Sequence, residues 1–289
     1  MIIQFLINGF ITGLLYALLA VAFSLVYTTT KIFHIAFASI LVLSSYVFYA
    51  LYSVFLLPFP IAVLIALVFV GVVNVSINQF IYHKLEKNKS NHNSILVASI
   101  GVFIILTNLL AMIFGNENKT YTNTSGNSIS IADLIITQMQ LIQFISCVLL
   151  IIVLLIIINK TTMGIKIKAL SNNGLLFEIL GQSAAKFKLF LFFISGILGA
   201  IVSLLISFDV SFDPYFGMSL LLNALVAMII GGFGSFKGSV FGGILLGIIQ
   251  SISIYLFDSR WETAISFLIL IAILVFRPQG LFGEKQRLI

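Results

Sequence analysis

The chain of 289 residues is 61% hydrophobic and 8% charged, with a mean hydropathy of +1.20 and a net charge of +6. A soluble domain carries about 25% charged residues, so the composition excludes a soluble enzyme and requires an integral membrane protein. The basic balance does not indicate nucleic acid, because no basic face with interleaved aromatics exists and topology accounts for the charge.

Apolar runs of about 20 residues cross a bilayer as helices. They predict an all-α polytopic bundle with spans at about 3–27, 33–52, 61–82, 95–114, 138–158, 187–207, 216–233, 239–257 and 262–276. The first has no basic n-region and no small-residue cleavage site, so it is read as retained. Pro58 and Pro60 beside a short second segment leave a re-entrant element open there, which sets the count at eight or nine. One membrane domain, 1–289, is expected. The single cysteine, Cys147, excludes a disulfide within the chain and reads as core.

Between the spans, thirteen of the fifteen Lys and Arg residues fall at Lys31, 84–93, 160–188, Lys237 and 277–289. The other connections hold Lys119 and Arg260 with six acids. The positive-inside rule counts Lys and Arg, so the first set is cytoplasmic, the C-terminus is inside, and nine spans put the N-terminus outside. The sequons at Asn118 and Asn123 fall in an outer connection and read as polar loop.

No formal charge lies deep within a span, whereas proton and ion routes usually place one there. His34, His83 and His92 are scattered, no HExxH or CxxC occurs, and no metal site or cofactor is expected. The acids sit at the edges, which leaves no Ser/His/Asp set. Polar uncharged residues within or near spans are Asn8, Thr12, His34, Asn74, Asn78, Gln79, Thr107, Asn108, Asn223 and Gln250. They serve either as interhelical hydrogen bonds or as the lining of a path for an uncharged or zwitterionic solute.

In the loop 160–188, Leu175, Leu176, Ile179 and Leu180 stand at helical spacing. Asn172 and Asn173 precede them as caps, and Gly181 ends the segment. Such a short helix lies on the membrane surface or in the groove of a partner protein.

Towards the C-terminus, "IIGGFGSFKGSVFGGILLG" packs seven glycines into Gly231–Gly247. It falls short of a phosphate loop, since Lys237 precedes Gly238 and membrane helices flank it. Gly234, Gly238 and Gly242 are four apart, as are Gly243 and Gly247, and residues four apart share a helical face. The 231–234 cluster suits a tight turn. The 238–247 set offers a smooth face on which another helix backbone rests, as close packing in lipid requires.

Together these stretches resemble the permease subunits of branched-chain amino acid ABC transporters, of the LivH kind. "NGFITGLLYALLAVAFSLVY" is similar to that family's opening helix, and "ILVASIGVFIILTN" to its mid-chain span. "TTMGIKIKAL" through "GQSAAKFKLFLFFISGILGA" resembles its cytoplasmic coupling loop and following helix. The glycine segment and "FRPQGLFGE" resemble its two C-terminal signatures.

The resemblance implies a permease moving branched-chain or other amino acids by ATP-driven alternating access, with urea or short amides as the nearest alternative. It implies as partners a second related permease chain, two cytoplasmic ATP-binding subunits and an extracytoplasmic solute-binding protein, all at a bacterial inner membrane. Coupling roles carry over to Gly164, Lys168, Ala169 and Gly181. The translocation path is expected near Asn8, Thr12, His34 and Phe37. Here "HIAFA", His34 to Ala38, stands where the family reads Asn-Phe-Ala-His-Gly. Lys168 replaces its Arg, and Phe177 its Ala. A stand-alone secondary carrier is the contrasting reading.

Overall fold

The computed structural model describes residues 2–88, 90–121, 128–131 and 134–283. Lys89, Asp133, Glu284, Lys285 and Arg287 of the charge count, and the sequon at Asn123, lie outside the described residues. The long helices are α1 (Ile2–Thr30), α2 (Phe37–Tyr49), α3 (Phe59–Ile77), α5 (His92–Phe114), α6 (Gln138–Lys160), α9 (Ala184–Ser207), α10 (Phe216–Gly231), α11 (Phe236–Leu256) and α12 (Glu262–Phe276). Short helices are α4 (His83–Lys87), α7 (Thr162–Asn172) and α8 (Gly174–Ile179). π turns extend α2 over Ala50–Val54 and α3 over Asn78–Tyr82.

Among the described residues, eight helices are long and apolar enough to cross a membrane, and α10, at 16 residues, is a shorter apolar ninth. At 1.5 Å per residue α10 reaches about 24 Å, just under the ~30 Å of a hydrocarbon core. Helix starts follow ordinary chemistry. Pro60 sits in the first turn of α3, where its missing N–H is not needed, and Ser235 Oγ accepts from Gly238 N at 3.1 Å to cap α11.

Two differences from the sequence reading stand out. The second span begins at Phe37 rather than 33, because Lys31 takes φ +58° after α1 and residues 31–36 form a link. The connection between α5 and α6 also contains an antiparallel hairpin, β1 (Ser128–Ile131) on β2 (Leu134–Thr137), where loop was expected. Short strands of Ser and Ile in a mostly polar connection carry too little pattern to be seen.

The chain divides into two compact units, one of residues 1–24, 125–159 and 222–289, the other of 25–124 and 160–221. In the first, the glycine-rich helix α11 uses two faces, not one. A Cβ on Gly242 would lie 2.1 Å from Ala227 O, and one on Gly238 2.2 Å from Gly231 O, both on α10. On the other face, a Cβ on Gly243 would lie 2.3 Å from Ala17 N and one on Gly247 2.4 Å from Gly13 Cα, both on α1. Gly234 belongs to neither face. It lies in the turn before α11 with φ +85°, beside Gly232 at +104°. The segment after α12 folds back onto this turn, with Leu281 N bonding Ile230 O at 2.9 Å and Phe282 N bonding Gly231 O at 3.0 Å. The two C-terminal signatures thus satisfy each other's backbone.

In the second unit, α2 is buried along almost its whole length and packs on α3 and α9. Ser45 Oγ lies 3.0 Å from Ser203 Oγ and 2.6 Å from Ser207 Oγ, and Ser203 Oγ donates to Leu41 O at 2.7 Å. Tyr121 closes one end of this packing, donating to Ser45 O at 3.2 Å among the rings of Phe48, Phe208 and Phe212.

Overpacking a well-filled core costs about 1–3 kcal/mol, whereas an open helical glycine gains up to about 1 kcal/mol on becoming alanine. Gly243→Ala is therefore expected to lower the melting temperature of the detergent-solubilised protein. Gly101→Ala, where nothing lies within 4 Å, should leave it unchanged or raise it. Equal responses in a thermal-shift assay would contradict this packing.

Candidate functional site

The loop between α6 and α9 is built from its own sequence. Asn173 takes an extended conformation, its N–H closing α7 on Ala169 O at 3.0 Å. Its side chain opens α8 by accepting from Leu176 N at 3.0 Å. One residue thus both stops a helix and starts the next, as the predicted cap required. At the far end Gly181 takes φ +79°. Its N–H reaches Glu178 O at 2.9 Å and that of Gln182 reaches Phe177 O at 3.3 Å, the Schellman arrangement. A left-handed residue with a side chain would cost about 1–2 kcal/mol here.

Only Phe177 points α8 inward, packing with Leu170, Ala184, Ala169 and Phe187. The opposite face carries Leu175, Leu176, Ile179 and Leu180, between 53% and 79% exposed. Three large apolar side chains on the six residues of α8, with Leu180 just after it, cannot be explained by packing within the chain. Of the positions assigned by resemblance, Gly164 is buried against the loop, Ala169 is half-buried and Lys168 is exposed. Beyond the loop, Lys188 Nζ on α9 contacts both Glu86 oxygens on α4, at 3.0 and 3.2 Å.

The second cluster surrounds His34, in the 31–36 link. His34 is fully buried rather than interfacial, and both ring nitrogens are engaged. Nε2 is 2.8 Å from Asn74 Oδ1 and Nδ1 is 2.8 Å from the Tyr82 hydroxyl. Asn74 Nδ2 donates to Phe192 O at 2.8 Å, Tyr82 and Ser99 share a hydroxyl contact of 2.9 Å, and Ala36 N–H donates to Ser99 Oγ at 3.0 Å.

The Phe192 carbonyl can only accept, which fixes the Asn74 amide and turns its oxygen to the imidazole. Nε2 faces that oxygen and Nδ1 faces the Tyr82 hydroxyl. The Tyr82 hydroxyl donates to Ser99 Oγ at 2.9 Å. Every partner is used. Burial pushes the imidazole pKa down to about 4, against a smaller upward pull from the Asn74 bond. No carboxylate takes part in the cluster, so a proton on His34 would be a buried charge without a counter-ion.

Of the residues expected near a translocation path, His34 and Phe37 lie in this cluster with rings 6.0 Å apart. Asn8 and Thr12 belong to the other unit. Both are half-buried, and Asn8 Oδ1 accepts from Gln4 at 3.3 Å and Gln140 at 3.4 Å. Among the described residues no group of His, Cys, Asp and Glu could hold a metal ion.

The family model described as branched-chain amino acid transport system, permease component, matches residues 5–274. The chain belongs to that family. Its curated relatives include BraD, the high-affinity branched-chain amino acid transport system permease of Pseudomonas aeruginosa. The two are 25% identical over 98% of this chain and 96% of that one. LivH of Escherichia coli matches equally well, at 25% identity over the same shares. A probable LivH of Methanocaldococcus jannaschii is 27% identical over 93% and 89%. Among solved structures, PsaBC from Streptococcus pneumoniae in complex with Fab matches with a TM-score of 0.53 at 16% identity, covering 99% of this chain and 94% of that one, which speaks to fold alone.

Within this branched-chain permease sequence, the short helix α8 and its caps were visible beforehand. Tyr82, Ser99 and the Lys188–Glu86 pair were not. Tyrosine and serine are common in membrane helices, and these partners lie 17 to 102 residues apart in sequence.

The lowered His34 pKa sets a sign. Unfolded histidine binds a proton near pH 6.5, the folded one near 4, so stability is complete above 6.5 and falls as pH drops towards 4, by about 1.4 kcal/mol per unit at most. The melting temperature of the solubilised protein is expected to fall more steeply over that window than that of His34→Gln. Parallel curves for the two would show that His34 is protonated in the fold.

Proposed function

We propose that this chain is a transmembrane permease subunit of an ABC importer, moving branched-chain or related amino acids across the cell membrane by ATP-driven alternating access. The observation that carries the reading is α8, an apolar, doubly capped helix presented by the most basic connection of the chain. The positive-inside count puts that connection, and the C-terminus, in the cytoplasm. An amphipathic helix with an unoccupied apolar face suits a groove, and a cytoplasmic ATP-binding subunit is the partner the mechanism needs.

Gly164, Lys168, Ala169 and Gly181 are read as coupling positions. Gly164 lets α7 pack, Lys168 stands exposed towards the partner, and Gly181 sets the angle at which α8 leaves. Two ATP-binding subunits, a second related permease chain and an extracytoplasmic solute-binding protein complete the assembly. ATP binding would draw the docking helices together and re-open the path on the other side.

The stand-alone carrier is the weaker reading because no span holds a formal charge in its interior. Substrate class rests on relatives named for branched-chain amino acids. For the solute route we keep Asn8 and Thr12 and set aside His34 and Phe37, which are sealed in packing.

Leu176→Asp puts a charge into the docking face at a position 53% exposed, so folding is spared. A central apolar anchor is worth about 2 kcal/mol or more, so binding of the ATP-binding subunit should weaken about thirtyfold. Uptake of labelled leucine should fall with it, while the amount of chain in the membrane is unchanged. Full uptake by this variant, or by cells lacking the ATP-binding subunits, would refute the coupled permease.

A further inference from the structure

The docking helix connects to the His34 cluster through a short series of contacts, all within one unit. Its inward ring, Phe177, lies 5.8 Å from Phe187. The next residue, Lys188, holds Glu86. One turn further along α9, the Phe192 carbonyl holds Asn74. The Phe192 ring stands 5.3 Å from the His34 imidazole and 6.0 Å from Tyr82. Two polar rungs therefore join α9 to the segment formed by α3, its π turn and α4, one on each side of the turn.

The π turn explains why both rungs reach the same helix. An α-helix turns about 100° per residue, so Asn74 and Glu86, twelve apart, would differ by about 120° around a regular helix. The turn at Asn78–Tyr82 absorbs one residue. The pair then behaves as if eleven apart, which leaves about 20° between them. Tyr82, eight residues after Asn74, comes to the same side by the same correction. Glu86, Tyr82 and Asn74 face α9 and the link only because the π turn is present. Such turns are poised between two registers and are frequent at functional sites.

We infer that the π turn at 78–82 is the hinge of a two-rung linkage, Lys188–Glu86 and Phe192–Asn74, which carries displacement of the docking helix to His34 and the link between α1 and α2. The inference rests on the docking proposed above and names the residues that transmit it. Lys188, Glu86 and Asn74 are positioning residues. They act through α9 and His34 and need not touch solute.

The test uses the complete transporter in lipid vesicles, reading both leucine taken up and ATP hydrolysed. Lys188→Gln and Glu86→Gln are each expected to lower leucine carried per ATP by about fivefold or more, the lower end of site-to-site coupling. The ATP-binding subunits should still co-purify. The double variant should be no worse than either single one, and the exchanged pair, Glu86→Lys with Lys188→Glu, should recover most of the ratio. A merely structural role would lower yield and leave the ratio intact. Deleting Gln79 removes the extra residue of the π turn and is expected to match the Glu86→Gln defect. A wild-type ratio in the single variants, additive losses in the double one, or no recovery on exchange would overturn the linkage. A wild-type ratio after the deletion would overturn the hinge. If the wild-type chain bound no ATP-binding subunit, the docking reading would fall and this inference with it; unaltered binding with unaltered ratios sinks the linkage alone.

Discussion

Inside a bilayer no water is present to satisfy a polar group, and this one constraint shapes the chain from its backbone to its side chains. It forces nearly all of the backbone into helices. Wherever the helix is interrupted, the freed groups must be met by something specific. At the 231–238 turn they are met by the 281–282 backbone. At the 31–36 link, Ser99 takes the Ala36 N–H and the His34 imidazole ties the link to α3 and its π turn. The same rule governs side chains. The Asn74 amide, the Tyr82 hydroxyl and the imidazole form a closed circuit because an open one would cost about 1–3 kcal/mol for each group left unmade.

How much of this could be read beforehand follows from which forces act locally. Span positions were legible, because twenty apolar residues in a row are a local signal. The ends moved by a few residues only where caps and links intervened, as at His34. The helix α8 was legible too, since Asn173 and Gly181 act on neighbours three residues away. The π turns were not. Their sequences, Ala-Leu-Tyr-Ser-Val and Asn-Gln-Phe-Ile-Tyr, contain no residue that demands the wider turn, which is imposed by what the helix meets on either side. The glycines were half legible. Spacing by four gives one face, but the second face of α11 came from a contact with α1 more than two hundred residues away in sequence.

The chemistry of the permease family is as much about what the spans lack. A carrier that draws on an ion gradient needs a group that binds the ion and changes its preference as the protein moves. The spans hold no charged residue deep within them. His34 has the right chemistry, but its burial disfavours the cation. The basic connection carries instead an exposed apolar helix, α8.

Both units bring helices together over glycine, Gly242 against Ala227 O in one and Gly217 against Ala38 O in the other, but they differ in what accompanies that contact. In the unit containing α11, backbones meet over glycine, with would-be Cβ positions as close as 2.1 Å to a carbonyl. Such seams admit no change of register, since a shift by one residue brings a side chain onto the opposing backbone. In the other unit, α9 meets α3 and α4 through an ion pair and an amide as well as over glycine, where a Cβ on Gly196 would lie 3.0 Å from Asn74 Cβ and 3.3 Å from Gly71 Cα. Polar ties of this kind can re-form after a small displacement. A rigid seam resists force, whereas a set of polar rungs around a π turn can transmit it. The chain places its densest glycines in α11 and, among the described residues, the Lys188–Glu86 ion pair near the start of α9.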